Sequence, residues 1–489
     1  MAAVTQRIGE IRDWVAALLC PNWRWMSLIA GSMFLFETIR VAEPSQAILG
    51  IASSLLAFLF FWVASRPEQP LWYAELWNRV PAPLKWPGWR GMLTMILLIN
   101  SYYTILGHIS DLFTGNYHTD AISYIHEDAD LLLQGRNPFT ADDAFWTACL
   151  RWPNASATPL LGSKLFGNNP ADYPSFKKTI AAQTAEALNP ALRSNNFDPG
   201  IVHNYPAGII WLALPFIWAG LPSMIWLNLI LFAVMVGIIL ARAPREERWP
   251  LGLALVAAPA FLDRGLFINF DVDCLVFALA AWNWLDKRVT SAILFGVACA
   301  VKQLAWFIAP FYLLEVARRY GWREALGRGG IAAAAFVLPN LPFIIASPRA
   351  WFHSVMIPLT DPNFPMGNGP IMLAAKGIIP FGSSHFWLAL VVIVLGAFLL
   401  LQWKRPSITS DGLLLSLVPL WFSWRSPMNY FNLIPVFAAW IAVTHIMAQR
   451  TKAVEPPHHE ALEEPSTEIT LPEDLPPVAS SEPQLAGVR

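Results

Sequence analysis

The chain has 489 residues, of which 55% are hydrophobic and only 14% charged, and its mean hydropathy is +0.44. These values lie outside the range of soluble globular proteins and predict an all-α polytopic integral membrane protein. The formal net charge is −1, so no basic excess indicates nucleic-acid binding. The expected partners are therefore membrane lipids and lipid-like molecules.

The first 90 residues predict an interfacial helix followed by a transmembrane hairpin. Residues 7–19 combine basic residues with a short apolar stretch and lack a convincing signal-cleavage site. Apolar runs of spanning length follow at 26–41, 46–64 and 92–110. The loop 66–90, between the second and third of these runs, carries Arg66, Arg79, Lys85 and Arg90. The positive-inside rule therefore places it in the cytoplasm. The segment after residue 110 is then predicted to be external.

Residues 111–203 form a long polar segment that is rich in Asn, Pro and Asp. A loop of this length is usually functional or a small domain. We assign it as the first outer loop of a membrane core that covers residues 91–449. Within it, residues 120–133 predict a short helix lying at the membrane surface.

More apolar runs follow the outer loop, at 209–220, 224–241, 251–262, 275–285, 292–317, 331–345, 371–380, 386–401, 413–421 and 431–447. If every short basic cluster between them is cytoplasmic, two stretches cross the membrane the wrong number of times. The stretch 205–241 needs an odd number of crossings but reads as two, and 292–317 needs an even number but reads as one long helix. Half-helices or re-entrant pieces would resolve this, since broken helices are tolerated where they line a cavity. We expect about 11–13 spans in total. Residues 450–489, rich in Glu and Pro, predict a disordered cytoplasmic tail.

Polar residues inside or at the ends of spans are the most informative candidates, because each must find a partner or a water-filled cavity. Four groups meet this description: Asp120 with Tyr124 and the turn at 135–138; His203-Asn-Tyr205-Pro206; Asp263-Arg264 with Asn269, Asp271 and Asp273; and Lys302-Gln303. Two weaker groups lie at 353–368 and 425–430.

Lys302 lies about ten residues into an apolar run, where insertion of a lysine costs about 2.5–3.5 kcal/mol. Binding of a phosphate would offset this cost, with Arg264 as a second cation for the same phosphate. The alternative is a structural ion pair with Asp271 or Asp273 that joins two helices. Both interpretations remain open from the sequence.

The other candidates also have two interpretations. A carboxylate such as Asp120 at the membrane surface can take a proton from a substrate hydroxyl, or can simply cap a helix. Asp271-Val-Asp273 resembles a metal-binding acid pair, but the nucleotide-binding α/β domain that should accompany it is not indicated. His203 and His353 can shuttle protons or only accept and donate hydrogen bonds. No metal-ligand spacing is found. Nothing requires a cofactor, although a divalent cation is compatible with the sequence.

Several of these motifs together resemble a known family. An Asp four residues before a Tyr, followed by Gly-x-Asn-Pro-aromatic at 135–139, resembles the first outer loop of GT-C glycosyltransferases. The likeness is greatest to bacterial glycosyltransferase family 87, the polyprenyl-phosphate-mannose-dependent transferases. The element 203–207 is similar to that family's Tyr-Pro-Pro element, and 301–310 resembles its Lys-to-Pro segment. Residues 267–271 lie where the family has a short polar motif, although the typical Gly-Gln pair is missing.

The resemblance implies a GT-C-like bundle that transfers mannose or another hexose or pentose from a polyprenyl-phosphate-sugar. The acceptor would be a lipid-linked or cell-envelope glycan, at the periplasmic face of a bacterial inner membrane. It implies that Asp120 is the catalytic base, that His353 assists proton transfer or acceptor placement, and that Lys302 and Arg264 bind the donor phosphate. Further substrate-binding positions are implied at Tyr124, Asn137, His203, Tyr205, Asn269, Asp271, Gln303, Arg425, Asn429 and Tyr430.

Two other classes fit the same pattern. A transporter or flippase of lipid-linked sugars would use the same buried charges to bind a phosphate, and broken helices suit it equally. A polymerase or ligase of lipid-linked glycans shares the membrane plan but uses a diphosphate-linked donor. The long outer loop and the lack of detectable symmetry between halves favour the transferase.

Overall fold

A computed structural model describes residues 22–40, 47–81, 87–152, 203–256, 263–360, 366–375, 377–380, 382–405, 411–426 and 428–454. The chain divides into two compact units, Met1–Met447 and Ala448–Arg489. The second unit is described only as far as residue 454. The predicted interfacial helix before residue 22, residues 153–202 of the outer loop and the predicted tail after residue 454 lie outside the described residues.

All regular elements in the first half of the described chain are helices. Its helices are α1 (Trp23–Arg40), α2 (Ala47–Ala64), α3 (Leu71–Arg79), α4 (Pro87–Thr114), α5 (Asp120–Leu133), α6 (Ala144–Arg151), α7 (Gly208–Trp218), α8 (Ile225–Arg242) and α9 (Arg245–Val256). The helix predicted at 120–133 is confirmed as α5, and its position at the membrane surface stays a prediction.

The second half begins with a π-helix, Asp263–Ile268, and is also mostly helical. It continues with α10 (Asp271–Asn283), α11 (Arg288–Val301), α12 (Leu304–Tyr320), α13 (Trp322–Ala346), α14 (Pro348–Thr360), α15 (Ile371–Ala375), α16 (Ser384–Lys404), α17 (Gly412–Leu417) and α18 (Ile434–Val454). Two 3₁₀ turns cover Val418–Phe422 and Met428–Tyr430. The two-residue strands β1 (Met366–Gly367) and β2 (Arg425–Ser426) pair in parallel, with Met366 opposite Arg425.

The composition of these helices identifies an all-α membrane protein. Within the described residues, α2, α8, α13 and α16 are long and apolar enough to cross a membrane, and α7, α11 and 412–422 are shorter apolar helices. Large apolar side chains point outward from α13 and α16: Leu338 is 72% exposed, Ile345 74% and Ile393 66%. Such surfaces are stable only against lipid or another apolar partner. The full number of spans stays a prediction.

Helix α10 lies at the centre of the bundle and is buried on almost every side. It packs against α8 and α11, and α11 in turn packs against α13. The start of α7 approaches the end of α11 at Gly208, where a Cβ atom would lie only 2.5 Å from the carbonyl oxygen of Ala300. Only glycine permits this contact. It places Tyr205, just before α7, near Lys302, just after α11.

Two apolar runs differ from their predicted form. The run at 292–317 reads as one long helix, but the structure ends α11 at Val301 and begins α12 at Leu304. Lys302 between them is fully extended, with φ −154° and ψ 142°. The run at 371–380 yields only the five-residue α15. The first difference is the important one, because the break exposes unpaired helix ends within the membrane core and must be stabilised there.

Candidate functional site

Lys302, at the break between α11 and α12, forms a buried ion pair. Its Nζ lies 2.6 Å from Oδ1 of Asp271, the first residue of α10, and only 4% of Lys302 is exposed. Nζ also donates a hydrogen bond of 3.1 Å to Oδ1 of Asn269, and it lies 3.8 Å from the centre of the Phe270 ring. Among the described residues, the ion-pair partner of Lys302 is therefore Asp271 and not Asp273.

Amide side chains hold this ion pair in place from several elements. Asn429 donates through Nδ2 to the other carboxylate oxygen of Asp271, at 2.9 Å. Asn228 on α8 donates through Nδ2 to the carbonyl oxygens of Leu266 and Asn269, at 2.8 and 2.7 Å. The π-helix and the residues after it are thus fixed beneath Lys302. Buried amides that satisfy backbone carbonyls in this way make a site rigid.

Gln303 stabilises the break itself. Its Nε2 donates to the carbonyl oxygen of Asn204 at 2.6 Å and to that of Val355 at 3.1 Å. The side chain therefore connects the loop before α7 with α14. These contacts connect two elements, and the expected role of Gln303 in substrate binding stays a prediction.

Asp120 and Tyr205 approach the same cluster from the outer loop. The Thr119 hydroxyl donates to the carbonyl oxygen of Ile268, which brings the first turn of α5 beside the end of the π-helix. The charges of Lys302, Asp120 and Asp271 all act on the Tyr205 hydroxyl. Burial raises the pKa of Tyr205 to about 12, so the hydroxyl stays protonated and can donate a hydrogen bond. We call Asp120, Tyr205, Asn269, Asp271, Lys302, Asn429 and Tyr430 the Lys302 cluster.

His203 lies in a neighbouring buried pair with Asp128. His203 Nδ1 is 2.6 Å from Asp128 Oδ2, and neither side chain is exposed. The rings of Phe139 and Tyr205 pack against the His203 ring, at centroid distances of 4.8 and 6.0 Å. This pair attaches the returning end of the outer loop to α5 and places the His203 ring against Tyr205.

The remaining predicted residues lie in several different elements of the fold. Tyr124 is buried on α5, and Asn137 accepts a hydrogen bond from the backbone N–H of Phe139 within its own turn. His353 is exposed on α14. The charge of Arg425, in β2, acts on Tyr430. Arg264 belongs to the π-helix, but its side chain lies outside the described residues.

An apolar cleft lies beside the helix break. It has a volume of about 380 Å³ and is lined by side chains of α11, α12, α13 and α14, among them Phe295, Trp306, Phe336 and Trp351. Val355, which accepts the hydrogen bond from Gln303, is also part of its wall. A hydrocarbon chain in this cleft would thus lie next to the segment that carries Lys302.

Sequence reasoning missed three groups. Asn228 was visible as a lone amide in the apolar run at 224–241, and such residues must find a partner. Asp128 gave no signal, because its partner His203 is 75 residues away. The sequence also showed no metal-ligand spacing, yet ligand atoms of His108, Asp111 and His118 lie within 4.8 Å of one another.

Glu127, on α5, is nearly buried and provides a test of this region. Burial raises its pKa from 4.5 to about 7, although Arg151 lies 3.6 Å away. Between pH 4.5 and 7 the Glu127 carboxyl ionises in the unfolded chain but stays protonated in the folded chain. The free energy of unfolding therefore falls by roughly 3 kcal/mol as the pH rises through this range. We expect Glu127→Gln to be more stable than the parent at pH 8 and similar to it at pH 4.5, as measured by thermal unfolding in detergent. An unchanged pH profile in Glu127→Gln would contradict the assignment.

Comparison with known proteins finds one family match. Residues 203–421 match the profile of glycosyltransferase family 87. The match contains Lys302, Asp271 and the helix break, whereas Asp120 lies before it. No curated protein and no solved structure matches the chain. This segment is just under half of the chain, and over it the protein is similar to glycosyltransferase family 87, which supports a GT-C-like membrane glycosyltransferase.

Proposed function

We propose that the protein transfers one sugar from a polyprenyl-phosphate-sugar to a hydroxyl group of a lipid-linked or envelope glycan at the outer face of a bacterial inner membrane. The observation that carries this proposal is a buried lysine at a helix break beside an apolar cleft. A donor made of a phosphate and a hydrocarbon chain has the two chemical parts that this arrangement complements.

The donor phosphate is proposed to bind Lys302. An ammonium group has three N–H donors, and the contacts with Asp271 and Asn269 use two of them. The third is available to a phosphate oxygen. Because the surroundings are buried and of low dielectric, a charge-assisted hydrogen bond is strong there. Arg264 is the second proposed cation for the same phosphate.

The polyprenyl chain is proposed to occupy the apolar cleft between α11, α12, α13 and α14. The cleft walls are aromatic and aliphatic, so a hydrocarbon chain would lose no hydrogen bonds on entering them. Gln303 connects this wall to the loop before α7, which keeps the cleft next to Lys302. The polar head and the apolar tail of one donor molecule can then bind at the same time.

Asp120 is proposed to act as the general base. Its carboxylate takes the proton of the acceptor hydroxyl as the acceptor oxygen attacks the anomeric carbon of the donor. The bond between that carbon and the phosphate oxygen breaks, and polyprenyl phosphate leaves with the bonding electrons. Lys302 stabilises the negative charge that develops on this phosphate, so it lowers the energy of the transition state more than that of the ground state. Attack opposite the leaving group inverts the anomeric configuration.

The other predicted residues have supporting roles in this proposal. Tyr205, with its protonated hydroxyl, donates to the sugar or to the phosphate between Asp120 and Lys302. Asn429 holds Asp271, and Tyr430 and Arg425 close the carrier pocket. His353 on α14 assists in acceptor placement. The outward orientation rests on the basic residues of the loop 66–90.

The test is consumption of a panel of polyprenyl-phosphate-sugars carrying mannose, glucose, galactose or arabinose by the purified protein in native lipid extract. We expect turnover of one of these donors, with transfer to a lipid-linked or glycan acceptor in the extract. The corresponding nucleotide-sugars serve as the control and should not be consumed. Consumption of a nucleotide-sugar would contradict the proposal, and movement of an intact donor across vesicles without sugar transfer would favour a transporter.

A further inference from the structure

We infer that His108, Asp111 and His118 form a binding site for a divalent transition-metal ion of the Zn²⁺ type, next to the first turn of α5. The three residues come together through local geometry. His108 and Asp111 are three residues apart on the last turns of α4 and therefore share one face of the helix. The chain then reverses and brings His118 back to the same place.

Gly115 makes this reversal possible. It follows directly after α4 and has φ +66°, a conformation that favours glycine. A Cβ atom at this position would also lie 2.1 Å from the carbonyl oxygen of Pro222. The turn is thus both left-handed and tightly packed against the segment before α8. It fixes the distance between the end of α4 and His118.

The ligand atoms converge on one carboxylate oxygen. His108 Nδ1 lies 3.0 Å and His118 Nε2 2.9 Å from Oδ2 of Asp111. Tetrahedral bonds of about 2.0–2.2 Å from Zn²⁺ to nitrogen and oxygen place neighbouring ligand atoms about 3.3–3.6 Å apart. An ion can therefore be bound here with little rearrangement, by replacing the protons that these groups share.

Neighbouring residues hold the three ligand side chains in fixed orientations. Asp111 is only 3% exposed, and its other oxygen, Oδ1, accepts a hydrogen bond of 3.3 Å from Asn116 Nδ2. The His108 ring stacks on Phe267 at a centroid distance of 5.0 Å, which fixes its orientation. The His118 side chain is 36% exposed, so water has access to the ion from that side. Supported ligands and one open side are typical of a metal site with an exchangeable position.

The ligand set selects the ion class. Two imidazoles and one carboxylate favour Zn²⁺ and related transition ions over Mg²⁺ and Ca²⁺, which prefer oxygen ligands alone. A bound ion would connect the end of α4, the turn after it and, through Phe267, the π-helix. Since His118 is two residues before Asp120, the ion would hold the start of α5 against the π-helix.

The test is metal binding by the full-length protein in detergent after treatment with a chelator. His458 and His459 in the tail are replaced by Ala in all samples, so that they contribute no competing ligands. We expect one Zn²⁺ per chain, a higher melting temperature with Zn²⁺, and with Co²⁺ a visible absorption band from nitrogen and oxygen ligands. His118→Ala should weaken binding at least 100-fold, and the exposed His385→Ala on α16 should not weaken it.

Three results would overturn the proposal. The first is no metal bound above the level of a non-binding control protein, which would leave only a hydrogen-bonded network. The second is equal affinity in His118→Ala and in the parent. The third is preference for Mg²⁺ over Zn²⁺, because the imidazoles would then not be ligands. None of these readouts depends on glycosyltransferase activity, so failure here leaves the proposed donor chemistry unaffected.

Discussion

Asp120→Asn is expected to lower the rate of sugar transfer by about 10²- to 10⁴-fold while the affinity for the donor stays close to that of the parent. An amide has almost the shape of a carboxylate but cannot take a proton from the acceptor. Asp120 follows the N-cap Thr119, so asparagine loses only the interaction of the carboxylate with the helix dipole, about 0.3–1 kcal/mol, and the start of α5 should remain folded. The measurement compares initial transfer rates with donor-induced stabilisation in the same preparation.

The matched control for this change is Asp143→Asn. Asp143 is a carboxylate in the same outer loop, in a surface ion pair with Arg136. It should retain parental activity, because surface ion pairs contribute little. If Asp120→Asn is as active as the parent, Asp120 is not the base. If both variants lose activity equally, the loss reflects the loop as a whole and not proton transfer.

Much of the fold could be predicted because hydropathy is a local property. Helix α5 begins at the predicted Asp120, and the apolar runs near the N-terminus become α1, α2 and α4. The break at Lys302 was harder to predict. One lysine hardly changes the mean hydropathy of the run at 292–317, and the hydrogen bonds of Gln303 that stabilise the break reach residues far away in the chain. The only indication was that a single helix over 292–317 would place the basic clusters at its two ends on opposite sides of the membrane.

The candidate site, too, was predictable where it depends on local sequence and not where it depends on contacts between distant segments. That Lys302 needs an anionic partner was predictable from the cost of burying a charge, and Asp271 was one of the expected partners. The pairing of His203 with Asp128 was not predictable, because it depends on how the outer loop returns to α5. The His108, Asp111 and His118 group needs the left-handed turn at Gly115, which spacing alone does not show.

Lys302→Gln is expected to abolish donor turnover and to destabilise the protein. Removing one partner of a buried ion pair leaves the other charge uncompensated, which costs about 3–5 kcal/mol. Loss of activity in this variant alone would therefore not separate phosphate binding from a purely structural pair. The double variant Lys302→Gln/Asp271→Asn removes both charges and should recover most of the lost stability, as measured by thermal unfolding.

The two roles of Lys302 then give opposite results. If Lys302 binds the donor phosphate, the double variant stays inactive although it is folded, and a saturating donor no longer raises its melting temperature. Asp271→Asn alone retains the cation, so the donor should stabilise this variant, by about 2.7 kcal/mol at a hundred times the dissociation constant. If instead the double variant regains activity together with stability, Lys302 serves only to join α10 to the break after α11. The donor phosphate must then be bound by other cations, with Arg264 the first to test.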